Sequence, residues 1–207
     1  MQQPTLAFIG AGNMATALIS GLLADGVAVE RITASDTDAA QREALAARTG
    51  IRVTADNAAA CRTADVIVLA VKPQALQTVA RDLAPALPDP APLVISIAAG
   101  VRHTDLSRWL TAADRTPAPL IRCMPNTPAM IQTGATALFA GQDVSTAQRN
   151  IAESILRAVG LTLWVEDEAL LDAVTALSGS GPAYVFLVME AMEAAATRLG
   201  LDARQAR

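Results

Sequence analysis

Strand-like and helix-like segments alternate along the chain as far as residue 124, and this alternation limits the possible fold more than any other feature. Apolar runs of strand length recur from Thr5–Ile9 to Leu120–Met124, with stretches of helical period between them. Such an order is typical of a parallel sheet with crossover helices on its faces. The run Val66–Val71 is apolar at all six positions, as expected for a strand covered on both sides. We therefore predict an α/β fold with Val66–Val71 near the centre of its sheet.

The same patterns set the expected elements and domains. The predicted strands are Thr5–Ile9, Arg31–Ala34, Arg52–Thr54, Val66–Val71, Leu93–Ile97, Leu120–Met124, Ala135–Phe139 and Leu161–Val165. The predicted helices are Asn13–Ala24, Asp38–Arg48, Gln74–Leu83, His103–Leu110, Ser145–Val159, Asp167–Leu177 and Pro182–Leu199. Strand patterns stop after Val165. We predict a doubly wound, mostly parallel Rossmann-type domain over 1–165 and the start of an all-helical C-terminal domain over 166–207.

The C-terminal segment predicts a helix that the sequence does not complete. Asp202 and Gln205 form the signature of a capping box at a helix start. A single turn cannot stabilise itself, because helix nucleation is costly. The preceding helix, Pro182–Leu199, is apolar on several sides and needs partners. We expect that the helical domain is truncated here or that a second copy covers it, in a homodimer or a higher homo-oligomer.

Composition argues against several classes of protein. A bilayer span needs about 20 consecutive apolar residues, and no run comes near that length, so no membrane association is expected. The N-terminus lacks the pattern of a signal peptide, which predicts a cytoplasmic protein. A net charge of -4 with 3% aromatic residues disfavours nucleic-acid binding. Cys61 and Cys123 lack a CxxC spacing, and His103 stands alone, so neither a metal site nor a disulfide is predicted.

The sequence Gly10-Ala11-Gly12-Asn13-Met14-Ala15 follows the first strand and opens a helix. In a dinucleotide-binding turn the first glycine permits the tight turn, the second lets the backbone approach a pyrophosphate, and the third small residue packs the helix on the strand. The diphosphate would then bind the free N–H groups at the helix N-terminus. The alternative is an ordinary tight turn between strand and helix.

Ser35 and Asp36 follow the second predicted strand, where a side chain would meet the adenosine ribose. An acidic residue there bonds the 2′-hydroxyl of NAD and repels the 2′-phosphate of NADP. Asp36 therefore favours NAD. The alternative is that Asp36 or Asp38 caps the next helix.

Further candidates follow later strands, at the sheet edge where open α/β folds bind ligands. Lys72, within Ala70–Pro73, faces a cofactor or is a solvated charge. Ala98-Ala99-Gly100 leaves room for a flat nicotinamide ring or is a simple turn. Arg122–Pro128 forms a rigid loop at the same edge. In the helical part, Ser178–Tyr184 holds a carboxylate or lets two helices approach closely, and Glu168 complements a helix dipole.

Together these segments resemble the pyrroline-5-carboxylate reductase family. The resemblance covers Leu6 to Leu201 and rests on motifs in the same order: Phe8–Met14, Ala70–Pro73, Ala98–Gly100, Arg122–Pro128 and Asp172–Tyr184. The string from Asp172 to Tyr184 is the most specific of them. It separates this family from other nicotinamide-dependent reductases, such as β-hydroxyacid dehydrogenases, which share only the glycine motif and the Rossmann pattern.

The resemblance implies reduction of L-1-pyrroline-5-carboxylate to L-proline, the last step of proline biosynthesis, with NADPH or NADH as hydride donor. It places Glu168 beside the substrate nitrogen, where a carboxylate favours the iminium form. No residue is assigned as a proton donor. The residues that it implies for the cofactor are Gly10, Ala11, Gly12, Asn13, Met14, Asp36, Asn57, Ala70, Val71, Lys72, Pro73, Ile97, Ala98 and Ala99.

The family's later Ser-Pro-Gly-Gly-Thr-Thr loop, which binds the substrate carboxylate, does not occur in this sequence. A dinucleotide-binding module without catalysis is therefore the alternative hypothesis for these 207 residues.

Overall fold

The structure, a computed structural model, describes residues 3–207, in which eight strands form one sheet. The strand order is β3-β2-β1-β4-β5-β6-β7-β8, and every neighbouring pair is parallel except β6 and β7. The first six strands have the order typical of a Rossmann fold, which confirms the predicted class. The strands are Leu6–Ile9 (β1), Ile32–Ser35 (β2), Arg52–Thr54 (β3), Val66–Leu69 (β4), Leu93–Ser96 (β5), Leu120–Met124 (β6), Gly134–Ala140 (β7) and Gly160–Trp164 (β8).

Nine helices connect or follow these strands in the described part of the chain. The helix Asn57–Cys61 was not predicted, because five residues are too few to show a helical period. The helices are Asn13–Ala24 (α1), Ala39–Thr49 (α2), Asn57–Cys61 (α3), Pro73–Leu83 (α4), His103–Leu110 (α5), Thr146–Arg157 (α6), Leu170–Val174 (α7), Gly181–Arg198 (α8) and Ala203–Ala206 (α9). Both predicted capping boxes are present, at Ser145 and at Asp202.

Two apolar cores lie on the two faces of the sheet. Phe8 and Val68 pack with α1 and α6 on one face, while Ile67 and Leu69 pack with α4 and α5 on the other. All four residues of β4 are buried, so the alternating side chains of this strand enter both cores. The prediction of a central strand is therefore confirmed. Cys61 and Cys123 are buried free thiols.

Strand β4 is shorter than predicted, because pairing ends at Leu69 rather than Val71. Ala70 still donates its N–H to the Ile9 carbonyl at 2.8 Å, but the chain then turns to begin α4 at Pro73. Proline fixes φ near the helical value and suits the first position of a helix. Because α4 begins at Pro73, the last two predicted strand residues, Ala70 and Val71, lie in the connection between β4 and α4 instead.

The predicted helix Asp167–Leu177 is also shorter, and a π-helical turn over Thr175–Gly179 follows α7. The Ser180 N–H donates to the Thr175 carbonyl at 2.8 Å, which is the five-residue spacing of such a turn. The Thr175 hydroxyl donates to the Leu171 carbonyl at 2.7 Å. Hydroxyl groups that compete for backbone carbonyls in this way bend helices.

The helical segment Leu170–Arg198 is largely exposed, above all over α8. It is 29 residues long, an 18-residue window within it has a mean hydropathy of 1.3, and by length and composition alone it could cross a membrane. The averaged hydropathy passes a test that uninterrupted apolar runs do not, and the expectation of no membrane span stays a prediction. One such helix is weak support for a membrane span, and its apolar surface has another explanation below.

Candidate functional site

Gly10 lies in the crevice between β1 and β4, where the strand order reverses direction. Ligands of open α/β sheets bind at such a switch point. The φ angle of Gly10 is +107°, and a Cβ atom there would lie 2.7 Å from the Ala70 carbonyl oxygen. Its N–H donates to the Ser35 carbonyl at 2.7 Å. Only glycine therefore fits where the ends of these three strands meet.

Helix α1 begins beside this crevice with its first N–H groups open. Gly12 is the N-cap residue, and no side chain caps this helix. A Cβ atom at Gly12 would meet no protein atom within 4 Å. Unpaired N–H groups and the positive end of the helix dipole together make an anion site. Ala15 is fully buried against the sheet, as predicted. The start of α1, within the turn Gly10–Met14, is therefore able to bind an anion, and its occupation by a diphosphate stays a prediction.

The Asp36 carboxylate lies against the same turn. Its Oδ2 accepts a hydrogen bond from the Ala11 N–H at 2.8 Å, and its Oδ1 accepts one from the Asp38 N–H at 2.9 Å. Asp38, not Asp36, caps α2, since it accepts from the Ala40 N–H at 2.9 Å. The helix cap proposed for Asp36 or Asp38 is therefore Asp38, and the ribose contact of Asp36 stays a prediction. Its carboxylate is joined to the glycine turn.

Two neighbours complete this end of the crevice. The Arg42 guanidinium donates to the Asp36 carbonyl at 2.7 Å, a contact that sequence analysis missed. Arg42 lies in the first turn of α2, a short way along the chain from Asp36. This closeness in sequence was the signal from which the contact could have been predicted. The Ser35 hydroxyl donates to the Asn57 Oδ1 at 2.7 Å. Asn57, which the family resemblance implied, is thereby fixed at the end of β2.

The ends of β4 and β5 supply the other predicted cofactor residues. Ala70–Pro73 and Ile97–Ala99 follow neighbouring parallel strands, so both lie at the carboxyl edge with the glycine turn. Lys72 is exposed at the start of α4, and Ala98 is buried. Gly100 adopts a φ of +75°. Because alanine and glycine are small, the three residues from Ala98 to Gly100 place no bulky side chain beside the end of β5.

The loop after β6 holds the helical part of the chain against the sheet. The buried Asn126 donates through Nδ2 to the Ser178 carbonyl at 3.1 Å, and its Oδ1 accepts from the Ala135 N–H at 2.9 Å. A Cβ atom at Gly179 would lie 2.5 Å from the Met124 methyl carbon. Gly179 therefore lets the helical part approach strand β6, whereas the alternative drawn from the sequence was a close approach of two helices.

Glu168 lies in the turn before α7 and contacts two separate elements, β6 and α5, through a single oxygen atom. Its Oε1 accepts from the Arg122 Nη1 at 2.5 Å and from the His103 N–H at 2.5 Å. His103 is the first residue of α5, a helix without a local side-chain cap. Glu168 thus caps α5 from a distant part of the sequence, as helix electrostatics favours.

These contacts also set the charge of Glu168. Burial by itself raises the pKa of this carboxyl group, but the hydrogen bonds from His103 and Arg122 outweigh it and hold the pKa below its ordinary value. The side chain is 23% exposed, and that of Arg122 is 7% exposed. The carboxylate is therefore ionised at neutral pH while its partner is almost completely enclosed.

A polar cavity of about 360 Å³ lies beside this ion pair. It contains charges of both signs together with the glycine that follows β5. Its lining residues are Gly100, Arg102, Arg122, Asp167, Glu168, Ala169 and Asp172. Within residues 3–207, no cluster of three or more His, Cys, Asp or Glu side chains is placed to hold a metal ion.

The sheet order, the open helix terminus and the acidic residue after β2 define a nicotinamide-dinucleotide oxidoreductase. Comparison with known proteins gives the family. Residues 5–100 match a family model described as NADP oxidoreductase coenzyme F420-dependent, and residues 168–207 match pyrroline-5-carboxylate reductase dimerisation. The chain is 52% identical over 202 residues to a pyrroline-5-carboxylate reductase of Pseudomonas aeruginosa, which covers 98% of this chain and 72% of the relative. It belongs to the pyrroline-5-carboxylate reductase family.

Solved structures agree. A pyrroline-5-carboxylate reductase from Coxiella burnetii is 42% identical with a TM-score of 0.88, covering 99% of this chain and 74% of that one. The Plasmodium falciparum pyrroline carboxylate reductase with NADP bound is 26% identical with a TM-score of 0.86, covering 100% and 74%. The expected reaction, reduction of pyrroline-5-carboxylate to proline with NADPH or NADH, is confirmed at the level of the family.

Proposed function

We propose that this chain reduces L-1-pyrroline-5-carboxylate at the carboxyl edge of its sheet, with the region up to residue 165 binding the cofactor. The observation that carries the proposal is the uncapped start of α1, which opens onto the crevice at Gly10. The diphosphate binds the N–H groups of Gly12–Met14, which follow the two N–H groups engaged by Ser35 and Asp36, and Asp36 faces the adenosine ribose. Ala70–Pro73, Ile97–Ala99 and Asn57 line the rest of the cofactor.

The nicotinamide supplies the hydride, so the protein has to bind and orient the imine. Glu168 is suited to the substrate nitrogen because its Oε1 is occupied by Arg122 and His103, whereas Oε2 makes no hydrogen bond to any described residue. An ionised carboxylate beside the ring nitrogen stabilises the protonated iminium, which is the better hydride acceptor. The cavity beside Gly100 places this carboxylate close to the end of β5.

We further propose that α8 forms the interface with a second copy of this chain. Soluble monomers seldom expose large contiguous apolar patches, and this helix exposes more than half of each of several large side chains. They are Tyr184, Phe186, Leu187, Met189 and Met192. The match of 168–207 to a dimerisation region supports a homodimer as the occupant. We place the enzyme in the cytoplasm, where reduced nicotinamide cofactors are regenerated.

Oxidation of the cofactor in the presence of pyrroline-5-carboxylate tests the proposed reaction. We expect oxidation of NADH or NADPH that depends on this substrate, with proline as the product. A β-hydroxyacid assayed with the oxidised cofactor is the matched control and should give no turnover. Turnover of the hydroxyacid without turnover of the imine would overturn the proposal.

A further inference from the structure

Arg122 is a buried charge within the sheet, in a motif whose part in the reaction is otherwise unexplained. It lies in the middle of β6, and its side chain is 7% exposed. Burying a charge is costly unless the charge is paired and hydrogen-bonded. Among the described residues, Glu168 is its hydrogen-bond partner, at 2.5 Å. The buried charge of Arg122 is therefore compensated by Glu168.

The two carboxylate oxygens of Glu168 have different surroundings, because only one of them is hydrogen-bonded within the described residues. Arg122 and the N-terminus of α5 both engage Oε1, so rotation of the carboxylate would break two short hydrogen bonds. The side chain keeps 23% of its surface exposed at the cavity beside Gly100. The contact fixes the direction in which the free oxygen, Oε2, points.

The same strand holds the other end of the segment that carries Glu168. Asn126, which follows β6, donates to the Ser178 carbonyl, and Met124 packs where Gly179 has no side chain. Alternate residues of a strand share one face, which brings Arg122 and Met124 to the same side of the sheet. The segment from Glu168 to Gly179 is therefore held at both ends by β6.

We propose that Arg122 is a positioning residue for imine reduction, acting through Glu168 to present its free carboxylate oxygen to the substrate nitrogen. This inference rests on the proposed role of Glu168. A residue that only stabilised the fold would affect cofactor binding, substrate use and stability together. A positioning residue affects use of the substrate while the cofactor crevice between β1 and β4 stays intact.

A double-mutant cycle of Arg122→Met and Glu168→Gln tests the proposal. We measure kcat/KM for pyrroline-5-carboxylate at saturating cofactor, and NADH and NADPH dissociation constants by nicotinamide fluorescence. Each single variant should lower kcat/KM by about tenfold or more, because misplacement of a reacting group is costly. The double variant should be no worse than Glu168→Gln within about twofold, since residues that act as one unit are not additive. The cofactor dissociation constants should change by less than about twofold in all variants.

Arg157→Met is the matched control, because it breaks the more exposed ion pair with Glu153 on α6. It should leave both measurements unchanged. Arg122→Lys keeps the charge and should recover part of the lost kcat/KM. If Arg122→Met does not fold, as judged by circular dichroism, the cycle is run with Arg122→Lys, for which the same non-additivity is expected.

The outcomes separate the two hypotheses. Normal kcat/KM in Glu168→Gln would overturn the role of Glu168 and with it this inference. A damaged Glu168→Gln beside a normal Arg122→Met would overturn only the positioning role. Additive losses, or a loss of cofactor affinity equal to the loss of kcat/KM, would likewise show that Arg122 does not act through Glu168.

Discussion

The Asp36 carboxylate accepts a hydrogen bond from the Ala11 N–H at 2.8 Å, so the residue proposed to face the adenosine ribose also supports the glycine turn. A substitution at Asp36 therefore changes two properties, the charge near the 2′ position and the hold on Ala11. Asparagine separates them, because its amide oxygen can accept from Ala11 without the negative charge.

Asp36→Asn should raise the affinity for NADPH relative to NADH. A hydrogen bond involving a charged group contributes about 1.5–3 kcal/mol, so a shift of about tenfold or more in the ratio of dissociation constants is expected. Asp36→Ser should shift the ratio in the same direction but weaken both cofactors, since it loses the contact with Ala11. Fluorescence titration of both cofactors measures this. Asp38→Asn, which changes the cap of α2 by the same charge, is the control, and an equal shift there would refute the assignment.

Gly12→Val should abolish dinucleotide binding and leave the fold intact. The φ of Gly12 is -71°, and an added side chain meets no protein atom, so the valine would project into the diphosphate site. Gly10→Val is the contrasting variant and should unfold the protein, since it would collide with the Ala70 carbonyl at a φ of +107°. Thermal unfolding and NADH titration distinguish the two. Wild-type affinity in Gly12→Val would contradict the phosphate site.

Acid should remove the stability that the ion pair of Glu168 contributes. The folded pKa of Glu168 is held below the unfolded value of about 4.3, so its contribution is complete above that pH and is lost as the pH falls through the folded pKa. Urea unfolding of the wild type and of Glu168→Gln should give a constant difference in free energy from pH 7 to about pH 5 that shrinks below about pH 4. A difference that does not change with pH would show that the carboxylate charge contributes nothing.

A charge on the exposed face of α8 should dissociate the proposed homodimer. Phe186 is 60% exposed, and Phe186→Asp would bury a carboxylate in the proposed interface, which is costly without a partner. Light scattering after gel filtration should show a monomer. Val29→Asp, on the short helical turn before β2, should remain dimeric. A monomeric wild type would refute the proposed homodimer, and dissociation only in Val29→Asp would place the interface elsewhere.

Sequence alone predicted the sheet and the cofactor crevice because both depend on local signals. The apolar run at Val66, the glycines at 10 and 12, and the capping box at Ser145 act on their immediate neighbours, and the structure has the corresponding strand, turn and helix start. The exact ends of two elements were predicted wrongly, because a nearby residue ended each element early. Pro73 ended β4 early, and the Thr175 hydroxyl helped to interrupt α7.

The part of the site that joins the sheet to the helical region could not be predicted in this way. Arg122 and Glu168 are separated by 46 residues, and His103 and Glu168 by 65, so no periodic pattern relates them. Arg122 was noticed only as part of a rigid loop. Glu168 was noticed as a residue near a helix start and, through the family resemblance, as a neighbour of the substrate nitrogen, but its contact with Arg122 was not predicted. Their pairing depends on how α7 packs on β6 and β7.

Transfer of hydride to the imine is the central claim, and isotope transfer tests it most directly. The chain is incubated with pyrroline-5-carboxylate and a reduced nicotinamide cofactor deuterated at its transferable position, and proline is analysed by mass spectrometry. The account predicts proline that carries one deuterium at the former imine carbon, with Gly12→Val producing none. Proline without deuterium, or deuterated proline from Gly12→Val at the wild-type rate, would contradict it.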